Sequence, residues 1–543
     1  MTLSSLLFAL LVVALPASDG DNEKTPLQLR AEAACTGFDQ LGSEDEKRER
    51  QDLLLALADS LEVGGFDVHA SHCLERAGIF SYQFAEYDEA MDIWDRGLVA
   101  ARRSEDDKRI AALLNASAIG VSVTGDNERA VDLQLELILL RRQIGDPRGE
   151  GSSWYNLAYS YEALYRVPEA IEAFRQALVL LEQAGNSYGV ALTRNALSNS
   201  LFDIGQIEEA LSLADSAVAD AEREGAPLLV GNALGARAYK RHVLGHDQEA
   251  FDDFERARSI LVEGGVVRVA ASTAVNHARS LTALGRCQEA LDLLDEAWPE
   301  LDRAETHAER IAARAARGRA LSACGRDDEA REELRGALTE LAEFRAALDT
   351  ELGRAESFRL AGAAYTDLAA LEAPVDAWSL VEESSAALLR EELGADRVEL
   401  ARFQQELESI GAISLQFSAA TPEYILAFVV TSESVDRRVI ELPPDFARET
   451  ATAMHLLASG TADEFCRPVL ERMGATLLRG LELEGDRILV LPGGLAGVPF
   501  EALPYLGREL GARAALTYAP SATAFVGIQE RAAGSGPMLA LAD

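Results

Sequence analysis

Between about Gly65 and about Leu341 the hydrophobic and polar positions recur every forty residues. One alanine marks the register at Ala90, Ala130, Ala170, Ala210, Ala250, Ala290 and Ala330. Polar or acidic residues lead into it, as in Tyr87-Asp88-Glu89 and Asp328-Glu329. Composition alone does not produce such a ladder, so this stretch is an internal repeat. Twelve residues before each alanine the position is small: Gly78, Ala118, Ala158, Ser198, Ala238, Ala278 and Gly318. Five before it stand Gly125, Gly205, Gly245, Gly285 and Gly325, with Ala85 and Tyr165 as exceptions. Four after it come Trp94, Phe174, Phe254, Leu294 and Leu334, though Gln134 and Ala214 break the rule. Seven after it, Ala177, Ala217, Ala257, Ala297 and Ala337 are small again.

This pattern predicts two antiparallel helices joined by a tight turn. Small residues at facing positions let the helix axes approach, and glycine takes the turn conformation that a Cβ disfavours. A bulky residue one helical turn past the alanine fills the space between neighbouring pairs. One such pair cannot bury its apolar face alone, so the units stack as a solenoid.

The pattern resembles tetratricopeptide repeats in a longer, forty-residue form, with Trp154-Tyr155-Asn156-Leu157-Ala158 and Tyr161 nearest the usual sequence. Against the usual repeat of about 34 residues, the six extra are expected to lengthen the second helix or its exit loop. The resemblance implies that the first helix of each pair lines a concave groove able to hold a protein or an extended peptide. Candidate groove residues lie eleven positions before the alanine (Tyr159, Asn199, Tyr239, Arg279, Arg319) and fifteen before it (Asn115, Asn195). A solvated helix face accounts for the same residue types.

Outside the ladder the period changes. Leu6 to Ala14 is an apolar run too short to span a bilayer, followed by small residues and then a polar stretch, which resembles a secretory signal over residues 1–20 without a basic n-region. Export to the periplasm or beyond is the expectation, with a cytoplasmic location if the apolar run is not a signal and membrane attachment only through a retained N-terminal segment. Residues 21–64 are expected to form capping helices and 65–395 the repeats. Within the latter, Phe358 to Leu393 makes a last helix pair around Pro374, and a long charged helix follows through about Ile410. Beyond it Tyr424 to Val430 is a short continuous apolar run, as a buried strand requires. Arg437 to Leu442, Arg487 to Leu491, Ala514 to Tyr518 and Met538 to Leu541 are further strand candidates. Helices are expected at Phe446 to Ala458, Glu464 to Leu481 and from Ser521. Strands alternating with helices predict an α/β domain.

That segment resembles the start of a CHAT domain, a caspase-like module. The resemblance rests on Ala386-Ala387-Leu388-Leu389, on Leu489-Val490-Leu491-Pro492-Gly493-Gly494 continuing through Pro499-Phe500-Glu501-Ala502-Leu503, and on Tyr518-Ala519-Pro520-Ser521. Gly493 departs from the family, which has Asp there. The expected whole is mainly α: a tetratricopeptide helical-hairpin solenoid followed by a partial α/β caspase-like (CHAT) domain over residues 396–543. The resemblance implies a cysteine peptidase whose His and Cys follow later strands, beyond Asp543, so no catalytic residue is assigned. His455 and Cys466 occur in caspase order but on a helical segment, without the strand ends that such a dyad needs. The alternative is a non-catalytic adaptor.

Charge narrows the partners. Acidic residues number 90 against 51 basic, giving −39, which argues against nucleic acid as a direct partner. Arginine outnumbers the four lysines (Lys24, Lys47, Lys108, Lys240), pointing with the Ala and Gly content to a GC-rich bacterial genome. Five cysteines are scattered without C-x-x-C, so no disulfide framework is indicated. Cys287 and Cys324, beside repeat turns, are expected to be buried free thiols. His69, His72 and Cys73 share a helix face, but no fourth ligand stands at a fixed spacing. Pro492 to Gly497 lacks the Gly-Lys-Ser/Thr of a phosphate loop. No cofactor or metal is expected.

Overall fold

The computed structural model describes residues 24–36, 43–164, 166–303, 307–346, 362–393, 397–418, 424–443, 463–495 and 498–526, with Phe446 and Thr450. The signal-like run, His455 and the Met538–Leu541 strand candidate lie outside the described residues. Two compact units result, Met1–Leu229 and Val230–Asp543.

The ladder is a series of helices beginning every twenty residues. In the first unit they start at Asp67, Tyr87, Asp107, Asn127, Pro147, Val167, Ser187 and Ile207. Pro227–Val243 lies across the boundary, and Asp247, Val267, Cys287, His307 and Asp327 begin the rest. First and second helices are alike, 17 residues in both Pro147–Ala163 and Val167–Gln183. The extra residues are therefore not confined to the second helix or its exit loop; both helices share them. The reason is a second turn glycine the sequence reading passed over. Gly145, Gly185, Gly225 and Gly265 close the second helices with φ near +70°, just as Gly125 (φ 88°) closes a first helix.

Every signature alanine is fully buried. The small position upstream has a defined neighbour: a Cβ on Gly78 would lie 2.3 Å from Trp94 Nε1, and one on Gly318 2.6 Å from Leu334 Cγ. Small and bulky positions of one pair thus interlock. The first helices are enclosed on nearly every side, with residues 116–121 all buried, whereas second helices alternate buried and exposed faces. Helix Asp67–Gln83 packs on Asp107–Val123, and Val267–Ala283 on His307–Ala323. In the second unit charge is sorted by layer. First helices Val267–Ala283 and His307–Ala323 carry Arg268, Arg279, Arg310, Arg314, Arg317 and Arg319 against one acid, Glu309. Second-helix carboxylates answer them, as in Arg310–Glu340 at 2.6 Å and Arg314–Glu333 at 3.1 Å.

His277 is the exception in this layer. Its ring is 2% exposed, beside Phe251 and Phe254, and neither nitrogen has a hydrogen-bond partner. Burial first, then Arg258 and Arg286, lower its pKa to about 4. In an unfolded chain it titrates at about 6.5, so between those values the unfolded state alone takes up the proton. Stability therefore falls as pH drops from about 6.5 to 4 and levels off below, by about 3 kcal/mol for this group. His277→Phe is expected to flatten the pH dependence of the urea midpoint in that window; an unchanged slope would assign it to other groups.

After the ladder, helices 362–371 and Pro374–Leu393 form the expected pair. The long charged helix does not continue to Ile410: a separate helix, Leu400–Ile410, ends at Gly411 with φ 62°. Strand β1 (Ile413–Phe417), unforeseen, then opens a sheet with β2 (Tyr424–Val430), β3 (Val435–Glu441), β4 (Arg487–Leu491) and β7 (Ala515–Tyr518). Between β4 and β7 lies a small hairpin of β5 (Pro504–Tyr505) and β6 (Arg508–Glu509), also unforeseen. The order is β3-β2-β1-β4-β7, antiparallel through β3, β2 and β1 and parallel from β1 to β4 and β7. Leu415, Phe417 and Val490 pack on helix Asp463–Leu477 through Met473 and Leu477. Leu426, Phe428 and Leu489 pack oppositely, among Trp378, Phe403, Leu407 and Phe525. Both faces of β2 and β4 are covered, so these two strands read as apolar runs.

Candidate functional site

In the first unit the candidate residues divide by what holds them. Tyr159 is turned inward: its hydroxyl meets that of Tyr155 at 3.1 Å, and both rings stand edge-on to Phe174. Burial raises its phenol to about 12 and also raises that of Tyr155; standing edge-on to Phe174, Tyr159 acts as a wedge between the helices of its own pair. Asn115 and Asn195 are half-buried, Asn199 is exposed, and the buried Oδ1 of Asn195 has no hydrogen-bond partner. Nearby, Glu162 accepts from Ser200 Oγ at 2.5 Å, and burial raises its carboxyl. Glu162 and Asn156, whose Oδ1 is also buried without a partner, were missed by sequence reasoning. They sit eight and fourteen positions before the alanine, on columns where other repeats carry small or mixed residues.

In the second unit Tyr239 is 43% exposed and Arg279 donates to Asn276 Oδ1 at 3.0 Å. Arg319 is engaged elsewhere. Its guanidinium grips Asp367 with two hydrogen bonds, at 2.8 and 3.1 Å, and lies over the Tyr424 ring. Asp367, only 6% exposed, accepts the Tyr424 hydroxyl at 2.6 Å. A groove role for Arg319 is thereby replaced by a structural one, because bidentate pairing with a buried carboxylate fixes the guanidinium plane.

Asp367 belongs to a joint. Helix 362–371 and the turn after it are held from the repeats by Arg319, by Arg331 donating to Leu371 O at 2.8 Å and by Arg335 on Glu372 at 2.6 Å. From the sheet they are held by Tyr424 of β2 and by Arg437 of β3, which donates to the carbonyls of Ala369 and Glu372. The last first helix of the ladder is thus wired to the antiparallel edge of the sheet through one short helix.

A second polar centre lies inside the α/β segment. Glu382, fully buried, accepts the N–H groups of Ala522 (3.1 Å) and Thr523 (2.7 Å) and the Gln416 amide (3.2 Å). Gln416 of β1 accepts in turn from Trp378 Nε1 at 2.8 Å. Burial raises the Glu382 carboxyl, and these donors oppose that shift. The group ties the helix pair, the central strand and the segment after β7. Gly493, at φ 54°, has its own explanation: a Cβ there would lie 2.2 Å from Phe417 O, so no side chain, Asp included, fits this turn.

The cysteines correct the sequence expectation. Cys287 and Cys324 form a disulfide rather than staying free thiols. Both border first-to-second turns of successive repeats, and stacking brings those turns side by side. Cys466 lies on helix Asp463–Leu477. His69 meets Glu32 at 3.3 Å and the Gln28 amide at 3.5 Å. Among the described residues no helix is long and apolar enough to cross a membrane.

Residues 190–224 match the tetratricopeptide repeat family, spanning one helix pair, Ser187–Asp203 with Ile207–Glu224. The chain is a tetratricopeptide-like helical solenoid with a small mixed sheet in its C-terminal region. No curated protein sequence matches it. Among solved structures it is similar to aspartyl phosphate phosphatase F from Bacillus subtilis, at 16% identity over 70% of this chain and 96% of that one, TM-score 0.44. It is similar also to the apo form of the quorum sensor NprR from B. thuringiensis, at 13% over 67% and 97%, TM-score 0.44. A Rap protein complexed with competence and sporulation factor shares 14% over 63% and 98%, TM-score 0.40. At such scores the likeness carries no functional weight.

Proposed function

We propose that the repeats are a protein- or peptide-binding scaffold, and that the α/β segment is the N-terminal portion of a caspase-like (CHAT) cysteine peptidase module governed by what the repeats hold. The observation that carries this is the joint through Asp367. It connects His307–Ala323, the last of the first helices, whose mutual packing marks them as the tighter, inner layer, to β2 and β3 of the sheet. A partner seated on those helices and favouring one arrangement of the joint would shift the sheet's equilibrium by its differential affinity. The Cys287–Cys324 bridge supports placing the chain in an oxidising compartment outside the cytoplasm.

Tyr239 and Arg279 are the groove residues of the second unit that this assignment retains. Peptides selected on the intact chain from a random display library are expected to bind the Tyr239→Ala/Arg279→Ala variant at least about tenfold more weakly, roughly the loss of one or two anchor contacts, with thermal stability nearly unchanged. Equal affinity would remove both residues from the groove. Cys466→Ala is expected to leave any peptide cleavage by the chain unaltered, and its loss would relocate the chemistry to Cys466.

A second possibility, a rigid adaptor, is favoured by the burial and full pairing of Asp367, as in a fixed weld. Hydrogen exchange separates the two. Saturation with a selected peptide should change protection in β2 and β3 if the joint transmits, and should leave those strands untouched if it only holds.

A further inference from the structure

Cys35 and Cys73 are buried free thiols whose Sγ atoms lie 3.9 Å apart. Cys35 ends the ten-residue helix Pro26–Cys35, and Cys73 sits in helix Asp67–Gln83. The leading helix packs against this helix and against Glu44–Val63. Its grip includes Arg50 donating to Ala34 O at 2.8 Å. Its burial is modest, through Ala31, Ala34 and Cys35, so among these elements its docking depends most on the few contacts around the thiol pair.

We propose that Cys35 and Cys73 are a covalent modification site: under oxidising conditions they close to a second disulfide that staples the leading helix to the first repeat. Three observations meet here. The sulfur separation needs a closure of about 2 Å to reach bonding distance, which a side-chain rotation and a small helix shift supply. The two residues belong to different helices, so the bridge constrains a chain segment of repeat length. The same chain already carries a bridge of almost the same span, since Cys287 and Cys324 are 37 residues apart and Cys35 and Cys73 are 38.

The chemistry is thiol–disulfide exchange with a low-molecular-weight disulfide, RSSR. Cys73 is the attacking sulfur: the hydrogen bond it shares with Cys35 lowers its thiol pKa, and the nearby Arg109 charge favours its thiolate. Its thiolate bonds to one sulfur of RSSR and expels RS⁻, which takes up the proton Cys73 released. Cys35, whose thiol the hydrogen bond with Cys73 and burial hold well above its usual range, then releases its proton to solvent. Its thiolate attacks Sγ of Cys73 and expels the second RS⁻, which leaves as RSH. Two thiols are oxidised, one RSSR is reduced and two RSH depart. Because both thiols are buried, the exchange starts from a locally opened state in which helix Pro26–Cys35 lifts from its neighbours.

The experiment refolds the full chain in a buffer of reduced and oxidised glutathione, blocks free thiols with iodoacetamide under denaturing conditions, and maps peptides without reduction. The expected result is a peptide pair joined through Cys35 and Cys73 beside the pair joined through Cys287 and Cys324. Full alkylation of Cys35 and Cys73 while Cys287–Cys324 is linked would overturn the proposal, as would a link from either to Cys466. Cys35→Ser supplies the structural readout. Closure should slow limited proteolysis of the leading helix several-fold in the wild type, and that gain should vanish on reduction and be absent in Cys35→Ser. A wild-type cleavage rate indifferent to reduction would refute the staple even where the bridge forms.

Discussion

Arg319→Ala is expected to destabilise the second unit by about 3–5 kcal/mol, the usual cost of leaving a buried charge without its partner. The target is Asp367 rather than Arg319 itself. The carboxylate is 6% exposed and, among the described residues, would retain only the Tyr424 hydroxyl after losing both guanidinium bonds. The loss should appear in the urea midpoint followed by tryptophan fluorescence, with Trp378 reporting from the packed face of the sheet. Asp367→Asn should cost less, because a neutral amide needs no counter-charge. The double change Arg319→Leu/Asp367→Leu should recover much of the single-variant loss, since replacing both ions by apolar groups removes the desolvation problem. Equal instability of the double variant would mean that packing of helix 362–371, and not the ion pair, secures the joint.

Trp94→Ala is expected to cost the first unit a similar amount, about 3–5 kcal/mol. The indole is fully buried and seats against two glycines. A Cβ on Gly78 would stand 2.3 Å from it and one on Gly120 2.9 Å. Its Nε1 donates to Glu75 O at 3.1 Å. Removing it opens a void shared by two successive repeats. Hydrogen exchange should therefore quicken in helices Asp67–Gln83 and Asp107–Val123 well before helix Ser187–Asp203 responds, because repeat stability is a nearest-neighbour property. Uniform quickening along the whole unit would show that the unit melts as one body.

Much of the fold was legible because its contacts are short in sequence. Small positions twelve residues before the alanine meet bulky ones four after it, within a single pair, and the forty-residue period records that contact directly. The half-period was equally present in Gly145, Gly185, Gly225 and Gly265, but it emerges only when both turns are compared. β1 was missed although Ile413-Ser414-Leu415-Gln416-Phe417 alternates. The helical run before it masks the change, and its polar residues serve a buried network with Trp378 and Glu382 that no local pattern announces. Of the candidate face, Tyr239 and Asn199 are exposed and Arg279 half-buried, whereas Tyr159 and Arg319 are engaged inside the fold. One column of the ladder therefore mixes surface and core.

The sequence by itself determined that this protein is a stack of helical pairs followed by an α/β segment, because helix period, turn glycine and strand run are local properties. Tertiary structure alone decided which first-helix arginine leaves the candidate groove for Asp367, 48 residues on. It alone decided that Cys287 meets Cys324, and that Glu382 meets the N–H groups of Ala522 and Thr523. Those partners lie outside any one repeat, and their meeting depends on how successive layers stack, a geometry that no single repeat encodes.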